Sequence, residues 1–418
     1  TGIYNTLIGG LAGDALTDAD YNVAIGTDAL GADTLGSRSV AIGHAVLQTQ
    51  NFTTATDAYN TAVGFSAGTT LTTGTNNTLI GGLAGDAITT GSDNVALGYN
   101  SLSAGVASFY NTAIGKDALA ADTTGRHSVA IGRDALTAQN NTGSDDMYNV
   151  AVGSSAGAAV TTGTNNTLIG GNAGIAITTG TRNTAIGFEA LKTEDGHGRN
   201  VAIGYHALED LNAGANALNV GIGYNGGANL TTGIRNTLIG GSAGVSLTDA
   251  DDNVAVGRQT LGTDTKGSKS VAIGNDALYS QNFTTSTDTY NTAVGYAAGT
   301  AVTTGISNTL IGGLAGDALT DADNNVAVGK EALSTDTLGS RSVAIGTAAL
   351  FTQNFTTATN AYNTAVGHFA GGSVTTGIQN TLIGALAGDA LTDADYNVAI
   401  GYGALSTDTL GSTSIAIG

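Results

Sequence analysis

The chain reads as all-β, a parallel β-roll or β-solenoid of turns about 17 residues long, and three observations lead there. A short phrase recurs, a polar residue, three mostly apolar residues and then glycine, from Asn5-Thr-Leu-Ile-Gly9 and Asn22-Val-Ala-Ile-Gly26 through to Ser414-Ile-Ala-Ile-Gly418. Fixed periods of this size mark solenoids, whose repeats bury their apolar side only by stacking on neighbours. The phrase runs through all 418 residues without a linker, so a single continuous array over 1–418 is expected in place of several globular domains. Finally, 64 glycines stand at fixed phase beside no proline, which points to a repeated backbone demand and away from disordered or collagen-like chains.

Each part of the turn follows from the pattern. Position zero is Asn or Ser, at 5, 22, 39, 60, 77 and onward to 414, spaced by 17 except for four steps of 21 and one of 19 from Asn200 to Asn219. Alternation then predicts a short strand with positions plus one and plus three on one face and plus two, usually Ala, on the other. Plus three is always Ile, Val or Leu, so the row of Ile8, Ile25, Ile42 and Val63 is the expected core. Glycine at plus four closes every strand, a bend that needs positive φ or close backbone approach.

After the bend the turns are of two kinds. Some carry Gly at plus eight and an aliphatic residue at plus eleven, as in Gly13 with Leu16; others carry Leu at plus eight, as in Leu30, and a mostly polar plus eleven. One core slot filled from either place accounts for this exchange. The kinds are ordered in a four-turn unit, 72 residues long from Asn5 to Asn77, Asn236 to Asn308 and Asn308 to Asn380. A three-sided β-helix of hexapeptides would need aliphatic rows at plus nine and plus fifteen, which are mostly polar or small. What remains is a flatter roll with a thin core. Such a core offsets chain entropy poorly, and association of several chains is the expected remedy.

Thirteen basic against thirty-three acidic side chains give a net charge of −20, which disfavours nucleic acid and anionic membranes as partners. Without cysteine there are no disulfides or thiolate metal sites. No apolar run is long enough to span a bilayer, so this segment is not expected to insert into one. Thr1-Gly-Ile-Tyr-Asn5 matches Thr232-Gly-Ile-Arg-Asn236 and lies inside the pattern, so the chain is expected to be a segment of a longer one.

The phrases Ser39 to Gly43, Ser128 to Gly132, Ser270 to Gly274 and Ser342 to Gly346 all read Ser-Val-Ala-Ile-Gly. They resemble the head repeats of trimeric autotransporter adhesins, the YadA-like head, and are similar to repeats of long phage tail fibres. The resemblance covers essentially the whole chain. It implies a left-handed parallel β-roll assembled as a homotrimer.

Thr17-Asp-Ala-Asp20, Thr248-Asp-Ala-Asp251, Thr320-Asp-Ala-Asp323 and Thr392-Asp-Ala-Asp395 offer oxygen ligands for calcium, but equivalent turns read Thr89-Thr-Gly-Ser92 and Thr178-Thr-Gly-Thr181, which favours a turn role. His44, His127, His197, His206 and His368 show no paired ligand spacing, and no catalytic residue, metal site or cofactor is expected. The glycine-rich Gly9-Gly10-Leu11-Ala12-Gly13 lacks the ending of a phosphate loop. Threonine does not form the continuous ladder that an ice-binding face needs. The 21-residue turns are the candidate partner-binding loops: three carry Gln-Asn-Phe inserts with Phe52, Phe283 and Phe355, followed by Tyr59, Tyr290 and Tyr362. The competing reading has each Phe folded back as a cap on the neighbouring turn.

The expectation is therefore a non-catalytic extracellular fibre or adhesive shaft of a cell-surface appendage or phage tail fibre, its partners itself and a surface glycan or protein. At about 4.8 Å per strand the array would be a rod on the order of 115 Å, with long turns about 19 Å apart, suited to multivalent attachment. The alternative is a carbohydrate-binding or carbohydrate-cleaving spike, which when cleaving needs clustered carboxylates.

Overall fold

The computed structural model describes residues 2–141, 143 and 145–418. The protein is an all-β parallel β-solenoid with 24 three-residue strands, one per turn, and no helix among the described residues. It comprises two compact units, Thr1–His206 with Gly214–Asn216, and Ala207–Ala213 with Ala217–Gly418. The division falls in the 19-residue turn that begins at Asn200.

In the first unit the strands Thr6–Ile8, Val23–Ile25, Val40–Ile42 and Thr61–Val63 pair in parallel, residue for residue, and the series continues in the same register. In the second unit Val220–Ile222, Thr237–Ile239, Val254–Val256 and Val271–Ile273 do the same. The 21-residue turns leave this register intact, since Val40 still pairs with Thr61 and Val271 with Thr292. Their extra residues go into a loop and, in three of them, a second short ladder, Gly36–Ser37 with Thr56–Asp57, Gly267–Ser268 with Thr287–Asp288 and Gly339–Ser340 with Thr359–Asn360.

Position zero is buried, and its side chain explains the restriction to Asn or Ser. The Asn22 carboxamide donates from Nδ2 to the Gly36 carbonyl of its own turn at 2.9 Å and accepts at Oδ1 from the Ser39 amide of the next at 2.8 Å. Asn236 and Asn253 repeat the arrangement in the second unit, Asn253 N donating to Asn236 Oδ1 at 3.0 Å and Asn253 Nδ2 to the Gly267 carbonyl at 2.8 Å. Each carboxamide thus satisfies two backbone groups that burial would otherwise leave unpaired.

The strand faces are the reverse of the sequence expectation. Plus two is the inner residue: Ala24, Ala41 and Ala62 are fully buried. Of the expected core row, Ile25 and Val63 are half-buried, while Ile8 and Ile42 are exposed. The physical reason is the narrowness of the roll. Where Leu occupies plus two, glycine must face it at plus eight: a Cβ on Gly13 would lie 2.8 Å from both Leu7 Cδ2 and Leu16 Cδ1. The slot has three claimants, plus two, plus eight and plus eleven, where the sequence showed two. Leu30 is fully buried, as expected, and Leu16 half-buried.

Position plus eight is left-handed whichever residue holds it, with φ of 58° at Gly13 and 52° at Leu30. Leucine there carries backbone strain of about 1–3 kcal/mol, and burying its side chain returns a similar amount, so the two residues exchange at little net cost. Plus four has no such latitude. At Gly81 φ is 137°, and a Cβ would lie 2.4 Å from the Gly98 carbonyl oxygen of the next turn.

Two alanine substitutions separate these demands. Gly81→Ala should cost about 3 kcal/mol or more. Gly313→Ala, where a Cβ meets nothing within 4 Å and φ is not positive, should stay within about 0.5 kcal/mol of wild type. Equilibrium urea denaturation followed by circular dichroism measures both.

Candidate functional site

The long turns divide into a buried base and an exposed rim. Phe52, Phe283 and Phe355 are only 5%, 7% and 5% exposed, so the expectation that they contact a partner gives way to the cap reading. Phe52 packs where Gly36 lacks a side chain, since a Cβ there would lie 2.7 Å from the ring, and Phe355 does the same at Gly339. The Phe283 and Phe355 amides also donate to Asp264 and Asp336 Oδ1 at 3.2 and 3.1 Å. In the fourth long turn, which has Asn141 at this place, Met147 is fully buried with Sδ 3.4 Å from Asn141 Nδ2.

Tyr59, Tyr290 and Tyr362 stand at the rim, 53%, 56% and 46% exposed, with Tyr148 like them in the fourth long turn. Each ring meets a cation or imidazole of the preceding turn. The Arg38, Lys269 and Arg341 charges lie 5.7, 5.3 and 5.6 Å from the ring centroids of Tyr59, Tyr290 and Tyr362, and His127 stacks on Tyr148 at 5.2 Å. An acid completes three of the four clusters: Arg38 pairs with Asp57 at 2.9 Å, His127 with Asp146 at 3.5 Å and Lys269 with Asp288 at 2.6 Å. The Lys269 hydrogen bond holds the Asp288 carboxyl below the ordinary carboxylate range, and Asp288 in turn raises the Lys269 ammonium. Both groups are exposed, so the pairs contribute little to stability and leave polar groups in reach of a partner.

Beneath these rims lies a buried polar network that sequence reading placed only as a polar plus eleven. Asp33 Oδ1 accepts the Gly36 amide at 3.0 Å, and its Oδ2 accepts Gln50 Nε2 at 2.6 Å. Gln50 also reaches Ser39 Oγ at 3.1 Å, and its Oε1 accepts Asn60 Nδ2 at 2.9 Å. Asp122, Asp264 and Asp336 hold Gln139, Gln281 and Gln353 in the same way. Serine at position zero makes room for the glutamine, which replaces the missing carboxamide. The signal is in the sequence: every 21-residue turn starts at Ser and carries Gln eleven residues later. Burial desolvates Asp122 and raises its carboxyl above the ordinary range, with the hydrogen bonds from Gln139 and Gly125 opposing the shift.

The Thr-Asp-Ala-Asp motifs are structural. Asp251, Asp323 and Asp395 each accept, at 2.8 Å, the amide of Ile234, Ile306 or Ile378 one turn earlier, and Asp20 accepts that of Ile3 at 2.7 Å, which makes the repeated Thr-Asp-Ala-Asp a clasp between turns. Among the histidines, His197 is brought together with Glu194 and Asp195, their ligand atoms within 4.8 Å of one another, a grouping that spacing did not suggest. Glu194 occupies the place of Asp33 and accepts the His197 amide at 3.0 Å, the same cap that recurs in turns without histidine, so the group carries no metal assignment.

In comparisons with known proteins, no protein-family model matches the chain and no curated protein matches it.

Two outcomes follow. Phe283→Ser should lower stability by about 3–5 kcal/mol, the cost of emptying a buried aromatic site, whereas Tyr290→Ser should cost under about 1 kcal/mol; thermal denaturation compares them. For Asp122, the raised folded-state pKa means that the folded chain keeps a proton the unfolded chain has lost. Its contribution to stability is therefore greatest below the ordinary aspartate value of 3.8 and declines as pH rises from there through the raised pKa. The stability of wild type relative to Asp122→Asn should accordingly fall as the pH is raised from below the ordinary carboxylate range to above it, read from urea midpoints across a pH series.

Proposed function

We propose that the chain is a segment of a non-catalytic extracellular fibre, an adhesive shaft of a cell-surface appendage or phage tail fibre, assembled as a homotrimer of left-handed rolls. The observation that carries this reading is the outward strand face. Positions plus one and plus three stay half-exposed or exposed turn after turn in each unit, as Val23 and Ile25 or Thr309 and Ile311 do, Ile311 being 39% exposed. The aliphatic row at plus three, left partly open to water at every strand, is the kind of face that marks an association surface. A copy of the same chain is the fitting partner, since it presents the same residues at the same spacing, and closed assemblies of identical chains are the common solution. The net charge of −20 fits an exposed, soluble filament.

The trimer and its fibre role are tested together. Sedimentation equilibrium should give three times the chain mass, and joint replacement of Ile25, Ile239 and Ile311 by Asp should yield folded monomers, because these side chains lie outside the core of the single chain. Wild-type chain that stays monomeric across micromolar concentrations overturns the reading.

A further inference from the structure

We propose that the long turns are sites of covalent modification, with Asn51, Asn282 and Asn354 each carrying a sugar linked through Nδ2. The inference rests on the cell-surface form of the function above, because the acceptor triplet Asn-x-Ser/Thr is used on surface loops of exported chains. The three triplets are Asn51-Phe52-Thr53, Asn282-Phe283-Thr284 and Asn354-Phe355-Thr356.

What sets them apart is how the fold presents them. The middle phenylalanine is the buried cap, while the asparagine and threonine on either side of it are exposed. The backbone beneath is fixed, since the Asn51, Asn282 and Asn354 amides donate to the Thr72, Thr303 and Thr375 carbonyls of the next turn at 3.0, 3.0 and 2.9 Å. Each carboxamide is held at one end only. Its Oδ1 accepts the hydroxyl of Thr34, Thr265 or Thr337, one turn earlier, at 2.9, 3.1 and 3.0 Å. Its Nδ2 donates to no group among the described residues, and neither do the hydroxyls of Thr53, Thr284 and Thr356.

Threonine holds the asparagine's place in most ordinary turns and donates its hydroxyl onward, as Thr72 does to the Thr89 carbonyl at 2.9 Å. Asparagine receives a hydroxyl and passes none on, so the ladder itself gives no reason for the exchange. Other Asn-x-Thr triplets of the chain are engaged. Asn76 Nδ2 donates to Asp93 Oδ1 and Asn165 Nδ2 to Thr164 Oγ1, both at 3.1 Å, and these triplets run through buried Asn77 and Asn166 into strands. At Asn229-Leu230-Thr231 the threonine hydroxyl donates to the Thr248 carbonyl at 3.0 Å.

The chemistry is glycosyl transfer from a sugar pyrophosphate ester, borne by a nucleotide or by a lipid. The bond from Nδ2 to the anomeric carbon forms as that carbon's bond to the phosphate oxygen breaks. The pyrophosphate leaves with the bonding electron pair, and one Nδ2 proton passes to a base of the transferase.

The test is peptide mass spectrometry of the chain isolated from its native source, with fragmentation that places each added mass on a residue. Whole-sugar increments are expected on Asn51, Asn282 and Asn354, and none on Asn76, Asn165 or Asn229. Thr284→Ala should abolish the increment at Asn282 with the thermal transition unchanged, and Thr284→Ser should restore it. Bare Asn282 and Asn354 in surface-borne chain, sugar retained by Thr284→Ala, or equal occupancy of Asn76 and Asn165 each overturns the inference and leaves the fibre reading standing. A chain found only inside the cell overturns that reading, and the inference with it. Growth with an inhibitor of lipid-linked sugar synthesis separates the donors: loss of the increments assigns the lipid-borne sugar, and their persistence the nucleotide sugar.

Discussion

One buried contact sets the terms for the rest of the solenoid: the carboxamide at position zero, which joins its own turn to the amide of the next. Because Asn22 must reach both the Gly36 carbonyl and the Ser39 amide, successive turns can stack only in parallel and only in one register. The glycine at plus four follows from the same closeness, since stacked turns bring the Gly98 carbonyl to where a side chain on Gly81 would be. Hydrogen bonds of this kind contribute modestly one by one, but a missing partner would leave a buried group unpaired at every level.

The ladder also determines where variation is admitted. The four-residue additions of the 21-residue turns enter away from it, in their loops, and even there Val40 keeps its pairing with Thr61. When position zero becomes Ser, Gln50 bridges the break by binding Asp33, Ser39 and Asn60 together. The four-turn period is thus a rule of polar packing as much as of aliphatic packing. It places a tyrosine beside a cation or imidazole at the rim of each long turn, and so couples an interior constraint to the spacing of the surface clusters.

Much of this was legible in the residues, and the failures have a common cause. The period, the strand at each phrase and the glycine bend are local and repeated, so spacing alone reveals them. Which strand face is inside is not local: alternation distinguishes Ile25 from Ala24 but does not say how wide the roll is, and the narrow interior takes the alanine. The same limit applied to Phe52, whose burial depends on Gly36 of the turn before, and to Asp33, whose burial is satisfied by a glutamine seventeen residues on. Such pairings become readable only when two positions vary together, as Ser39 with Gln50 and Ser270 with Gln281 do within their turns.

The distribution of polarity that results inverts the ordinary one. The interior holds alanines, a leucine, isoleucine or valine in nearly every turn, and hydrogen-bonded amides and carboxylates, while the outer strand face carries a further aliphatic row at plus three. The polar ladder gives register and uniqueness, and the burial free energy comes from the thin aliphatic row, since the alanines remove only small apolar areas from water. Further apolar area lies on the outside, at plus three of every turn. Only a surface with the same rise per turn can cover such a stripe without losing step, which a second and third copy of the chain do by construction. In this reading the single chain folds on its own interior and association then covers the stripe, while the rims that carry Tyr59 and Tyr290 remain on the surface.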